Sequence, residues 1–228
     1  MKKLRALLPV ALAVLLGLAW CSKDTALVVE RPAKSQSDTV ALLITGDGGW
    51  TTIDRELTER LNQHGISVVG LNALRYFWWA RTPDGTAADV ARILRDTLRR
   101  WQPRRFVLIG YSRGADVMPF VVNRLPADLR QRVALVALLG LEPEVGFEFH
   151  LRDLLADQRR ASDLAVAPEA KRLDLARVLC VAGSKEPNSL CPELAAAGAE
   201  TIVFDGGHHF GERYREIADA IVAAAKAR

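Results

Sequence analysis

The sequence predicts a three-layer α/β sandwich, with helices on both faces of a mostly parallel central sheet. Short, continuously apolar runs such as 40–45, 106–109, 133–138 and 178–182 alternate with longer stretches of amphipathic, helical period. Strands that are apolar at every position are buried on both faces, as in a parallel sheet covered twice by helices. One of these runs ends in Gly110-Tyr111-Ser112-Arg113-Gly114, the spacing of a strand that turns abruptly into a helix. Together these observations define a doubly covered α/β layer architecture.

A polar linker around Ser35–Asp38 leads into the first core strand, Val40–Thr45. Asp54–His64 is an amphipathic helix, Ile66–Gly70 a strand, and Thr86–Trp101 a longer helix of the same periodicity. Phe106–Ile109 is the strand before the glycine-flanked serine, and Arg113–Asn123 the helix after it. Val133–Leu138, Val178–Ala182 and Thr201–Phe204 are further strands, and Tyr214–Ala225 is a terminal helix. Two stretches break the alternation: Tyr76-Phe77-Trp78-Trp79, and an insertion over 141–175. Connections that follow strand C-termini build the site in a parallel sheet, so both are candidate substrate walls, with Tyr76, Phe77 and Trp78 either as substrate contacts or packed into the core against a neighbouring helix.

At 228 residues with half of them hydrophobic, the chain buries one large core. Lys2, Lys3 and Arg5 precede an apolar run from Leu7 to Trp20, the layout of a secretory signal. Residues 1–21 are therefore read as a signal peptide or an N-terminal anchor, 22–38 as a linker with the first strand region, and 39–228 as the folded domain. Cys21 follows a lipoprotein-like stretch, but Trp20 occupies the place of a small residue. The 31 basic and 27 acidic residues become 28 and 27 once the three leader cations are set aside, so the domain is nearly neutral. Without a basic run interleaved with aromatics, nucleic acid is not an expected partner. Cys180 and Cys191 remain as a pair, and in an exported chain a pair is expected to form a disulfide.

A serine hydroxyl is a weak nucleophile near neutral pH, so Ser112 requires a base and a carboxylate to orient that base. Of the four histidines, His208 and His209 lie on a glycine-rich loop between strand 201–204 and the last helix, where an α/β-hydrolase carries its base. His208 is preferred, because Gly207 precedes it and lets the loop approach the serine; His209 is the alternative. Chain order places the acid after strand 178–182, where Glu186 lies inside the Cys180–Cys191 loop, and Asp205 is the runner-up. The oxyanion hole is expected from the amide of Arg113 and from that of Asp47 or Gly48 in Gly46-Asp47-Gly48-Gly49. That loop lacks the Gly-Lys-Ser/Thr ending of a phosphate-binding loop. Asp116, one turn beyond Ser112, and Asp47 are candidates for the pocket mouth, where two carboxylates could attract a cationic group, and Asp116 equally suits a plain capping role near the helix N-terminus. No metal or cofactor is called for.

With these residues in hand, the chain resembles the VirJ-type bacterial virulence proteins, short relatives of the AcvB proteins. The resemblance is carried by Gly46-Asp47-Gly48-Gly49-Trp50, Leu74-Arg75-Tyr76-Phe77-Trp78, Arg81-Thr82-Pro83, Gly110-Tyr111-Ser112-Arg113-Gly114-Ala115-Asp116, Leu190-Cys191-Pro192 and Gly206-Gly207-His208-His209-Phe210. It implies an α/β-hydrolase fold, export to the periplasm with possible attachment to the inner membrane through an uncleaved leader, and hydrolysis of aminoacylated phosphatidylglycerol, chiefly the lysyl form. It also implies an aminoacylated phospholipid at the membrane surface as substrate and, for some members, components of secretion machinery as partners. The rival expectations are a general esterase, lipase or thioesterase, or a non-catalytic secretion and virulence accessory factor on the same scaffold.

Overall fold

The structure, a computed structural model, describes residues 27–150 and 160–228. Its centre is a seven-stranded sheet built from β1 (Val28–Arg31), β2 (Thr39–Ile44), β3 (Ser67–Leu71), β4 (Arg105–Tyr111), β5 (Val133–Leu139), β8 (Val178–Gly183) and β9 (Glu200–Phe204), in the spatial order β1-β3-β2-β4-β5-β8-β9. β1 runs antiparallel to β3, and every other pairing in the sheet is parallel. The helices are α1 (Thr52–Gln63), α2 (Ala73–Tyr76), α3 (Pro83–Trp101), α4 (Arg113–Arg124), α5 (Ala127–Arg130), α6 (Ala167–Ala170), α7 (Cys191–Ala196) and α8 (Tyr214–Lys226).

The strand pleat divides the core in two. Along β2, Val40, Leu42 and Ile44 join a cluster with Val90 and Leu94 of α3 and Val117 and Val121 of α4. Ala41 and Leu43 face the other way, toward Leu57 and Leu61 of α1 and Ile217 and Ile221 of α8. This alternation on a strand that is apolar throughout is what makes both faces buried. Capping places the ends of the helices: Pro83 begins α3 behind Thr82, whose hydroxyl accepts from Gly85 N–H at 3.0 Å. Thr51 and Asp54 form a reciprocal capping box that starts α1 right after the glycine-rich loop.

The insertion contains a two-stranded antiparallel ribbon, β6 (Glu144–Val145) with β7 (Leu164–Ala165). α7 is an element that the sequence pattern does not suggest. It starts at Cys191, whose disulfide to Cys180 on β8 ties it to the sheet. Closing so short a loop stabilises by about 2–3 kcal/mol.

The expected membrane attachment requires correction. Among the described residues no helix is long and apolar enough to cross a membrane. The longest, α3, has 19 residues, but it carries Asp84, Asp89, Arg92, Arg95, Asp96, Arg99 and Arg100 and so buries only one stripe. The leader read over residues 1–21, with Cys21, lies outside the described residues.

Candidate active site

Ser112 stands between β4 and α4 with φ 53° and ψ −125°, a conformation a non-glycine residue adopts only under constraint. The constraint is the crossing of strand and helix. A Cβ at Gly110 would come within 2.2 Å of the Gly114 carbonyl oxygen, and one at Gly114 within 2.1 Å of the Ile44 carbonyl oxygen. Glycine at both positions lets α4 leave directly over β2 and β4, with Ser112 at the apex. The Ser112 N–H donates to the Leu139 carbonyl at 2.9 Å, which anchors the turn to the end of β5.

His208 and Glu186 meet over that same strand end. Glu186 Oε1 lies 2.6 Å from His208 Nδ1, and its Oε2 accepts from Gly183 N–H at 2.6 Å. A Cβ at Gly140 would be 2.7 Å from His208 Cε1 and 3.3 Å from Glu186 Oε1, so both side chains lie against the residue that follows Leu139. Burial works against ionisation of Glu186, yet the His208 and Gly183 hydrogen bonds and the His208 charge hold its carboxyl below the usual range. For His208, burial disfavours the charge, but the bond and charge of Glu186 outweigh it and raise the imidazole above its ordinary value. Among the described residues the Ser112 hydroxyl has no hydrogen-bond partner, and His208 Nδ1 is taken by Glu186.

The glycine-rich loop sits beside the serine. Gly49 N–H donates to the Gly46 carbonyl at 3.0 Å, a tight turn in which the amides of Asp47 and Gly48 take no backbone acceptor among the described residues. A Cβ at Gly46 would lie 3.0 Å from that of Ser112. The Arg113 guanidinium, nearly buried, grips the Asp47 carboxylate through both oxygens and bonds the Gly146 carbonyl and, at 3.3 Å, the Glu148 carbonyl. The first residue of α4 thus clamps the loop and the insertion together.

Other expected residues fall elsewhere. Asp116 is not at the pocket mouth: it is buried, and its Oδ1 accepts from Glu142 N–H at 2.7 Å. Burial pushes its carboxyl well above the usual range, so it pins the insertion instead of attracting a cation. Asp116→Ala is expected to lower unfolding stability by about 2 kcal/mol in a denaturant titration, the cost of a buried amide left unpaired, whereas Asp116→Asn keeps the acceptor and most of the stability. Tyr76 and Phe77 are likewise corrected from substrate wall to core. Tyr76 donates to Asp89 at 2.6 Å, and Phe77 packs edge-on against Phe147 with centroids 5.8 Å apart. Large rings give more stability inside than at a wet wall. Trp78 stacks on Phe149 at 5.7 Å and, like the more exposed Trp79, lies outside the cavity lining. Asp205, the other candidate acid, is 86 % exposed, accepts from the Ser184 hydroxyl at 3.1 Å, and has no hydrogen bond to either histidine among the described residues.

A cavity of about 420 Å³ opens onto Ser112. Besides the serine and the glycine-rich loop, its lining includes Tyr111, His209, Glu56, Glu212 and Tyr214. Glu56 and Glu212 escape a motif-based reading because nothing local marks them. The available signal is position: Glu56 is in the first turns of α1, straight after the glycine-rich loop, and Glu212 is in the turn between the histidines and α8. Glu56 lies 3.9 Å from Arg215, and Glu212 has no ion-pair partner among the described residues.

A family model described as bacterial virulence protein (VirJ) matches residues 38–228. The chain belongs to the VirJ family. No curated relative matches it. Among solved structures, this VirJ-family chain is similar to an open-form lipase, with TM-score 0.64 and 14 % identity over 88 % of this chain and 93 % of that one. It is also similar to the proline iminopeptidase of Mycobacterium smegmatis, with TM-score 0.58 and 12 % identity over 88 % and 95 %. A third is YbtT, a type II thioesterase from the yersiniabactin pathway, with TM-score 0.55 and 17 % identity over 89 % and 99 %. At such identities the likeness establishes the α/β-hydrolase fold of the VirJ chain, and the chemistry must be argued from its own site.

Proposed function

We propose that this VirJ-family protein is a serine hydrolase of acyl esters, and that its substrate is aminoacylated phosphatidylglycerol, the lysyl form first. The observation that carries the reading is the cavity at Ser112, where an elbow serine opens onto a space lined by the carboxylates of Glu56 and Glu212, the Asp47 carboxylate being held by Arg113. Such a lining favours an acyl group that brings its own positive charge.

Ser112 Oγ attacks the ester carbonyl while His208 Nε2 takes its proton, and Glu186 stabilises the imidazolium through Nδ1. The amides of Arg113 and of Asp47 or Gly48 receive the oxyanion, at the positive end of α4. Collapse expels the glycerol oxygen of the lipid, which His208 protonates. Water, activated by the same base, then frees the amino acid from Ser112. A general esterase, lipase or thioesterase uses the same steps, and the acyl group separates the readings.

Detergent-dispersed lysyl-phosphatidylglycerol should be hydrolysed with kcat/KM at least about tenfold above its doubly N-acetylated form, the equivalent of about 1.4 kcal/mol of transition-state preference. Equal rates for both would leave a general esterase. Failure to release lysine at all would remove this substrate.

A further inference from the structure

We propose that His209, held by Tyr111, receives the α-ammonium of the aminoacyl group and so selects aminoacyl esters over simple acyl esters. The inference rests on the hydrolase reading and deepens it. His208 and His209 are adjacent in sequence but differently occupied: His208 commits Nδ1 to Glu186, whereas His209 Nδ1 lies 3.1 Å from the Tyr111 hydroxyl. That same hydroxyl is 3.4 Å from the His208 carbonyl oxygen.

A phenol has one proton to donate. The arrangement that satisfies every group has Tyr111 donating to the His208 carbonyl and accepting from His209 Nδ1–H. Burial pushes the Tyr111 hydroxyl above its ordinary value, so it keeps that proton. In that tautomer Nδ1 carries the proton and the lone pair lies on Nε2, the acceptor. His209 lines the cavity with Ser112, together with the carboxylates of Glu56 and Glu212. An acceptor nitrogen among carboxylates is matched by a cationic donor. The ring is hydrogen-bonded to Tyr111, the residue before Ser112, and shares the serine's cavity, where it can meet a group next to the attacked carbonyl. In an aminoacyl ester that group is the α-ammonium.

The test is binding without turnover. Calorimetry on the Ser112→Ala protein compares L-lysinamide with 6-aminohexanamide, which keeps the side-chain ammonium and lacks the α-ammonium. Lysinamide is expected to bind about tenfold more tightly. Adding His209→Phe should bring lysinamide down to the affinity of 6-aminohexanamide, and His209→Gln, which keeps an acceptor, should restore much of the difference. Tyr111→Phe should narrow it. The proposal is overturned if Ser112→Ala does not discriminate, if lysinamide shows no measurable binding, if discrimination persists in His209→Phe, or if that variant weakens both ligands by the same factor. Because neither amide is a cleavable ester, these results stand apart from lysine release, which tests the hydrolase reading separately.

Discussion

Ser112→Ala should lower kcat for lysyl-phosphatidylglycerol by about 10⁴- to 10⁶-fold while the protein stays folded. The loss is large because the reaction then lacks its covalent route, and the oxyanion amides and the cavity retain only the part of catalysis that comes from binding. The fold is spared because alanine removes one oxygen from an apex whose backbone is held by the Leu139 carbonyl and by the packing of Gly110 and Gly114. Circular dichroism and the thermal midpoint should match the unmodified protein, and labelling by a fluorophosphonate should disappear. Lysine release at the unmodified rate would rule out Ser112 as the nucleophile.

The second large effect is expected at Glu186. Its two oxygens have different duties, one toward His208 Nδ1 and the other toward the Gly183 amide. In Glu186→Gln the amide oxygen suits the Gly183 N–H, which turns the NH₂ toward His208. Nδ1 must then accept, the ring proton moves to Nε2, and the nitrogen facing Ser112 can no longer take a proton. A fall in kcat of about 10³- to 10⁴-fold follows from this tautomer change.

The pH profile gives an independent readout of the same pair. The base must be neutral to act, so kcat/KM rises as pH passes upward through the His208 pKa. With Glu186 in place that pKa is raised from the ordinary value of 6.5. Removing the carboxylate withdraws the two largest interactions that raise it, so in Glu186→Gln the acidic limb should move to lower pH as the plateau drops. A limb that stays in place would show that His208 is not the titrating base.

Most of the sheet is legible in the sequence because burial on both faces leaves a local trace: β2, β4, β5 and β8 are uninterrupted apolar runs. The Ser112 elbow is legible for a similar reason, since the steric demand on Gly110 and Gly114 acts on residues two positions away from the serine. Glu186 and His208 follow from chain order, because each lies on the loop after a strand and loops at the same sheet end converge. Where the sequence misleads, the question is which way a side chain faces. Asp116 is in the first turn of the elbow helix, close to Ser112 in sequence, but the helix turns it toward the insertion and the Glu142 amide. Tyr76 and Phe77 have the composition of a substrate wall and serve as core.

The sequence by itself therefore determined the layered α/β fold and the glycine-flanked elbow at Ser112, since each is written in spacing over a few residues. Tertiary structure decided the identity of the charged wall. Glu56 and Glu212 come from segments about 150 residues apart and meet only when α1 packs beside α8 at the end of β4. Local pattern does not record such a meeting, because each of these side chains alone has the character of an ordinary exposed polar residue, and it becomes part of a site only through the packing of distant elements that each satisfy their own apolar face.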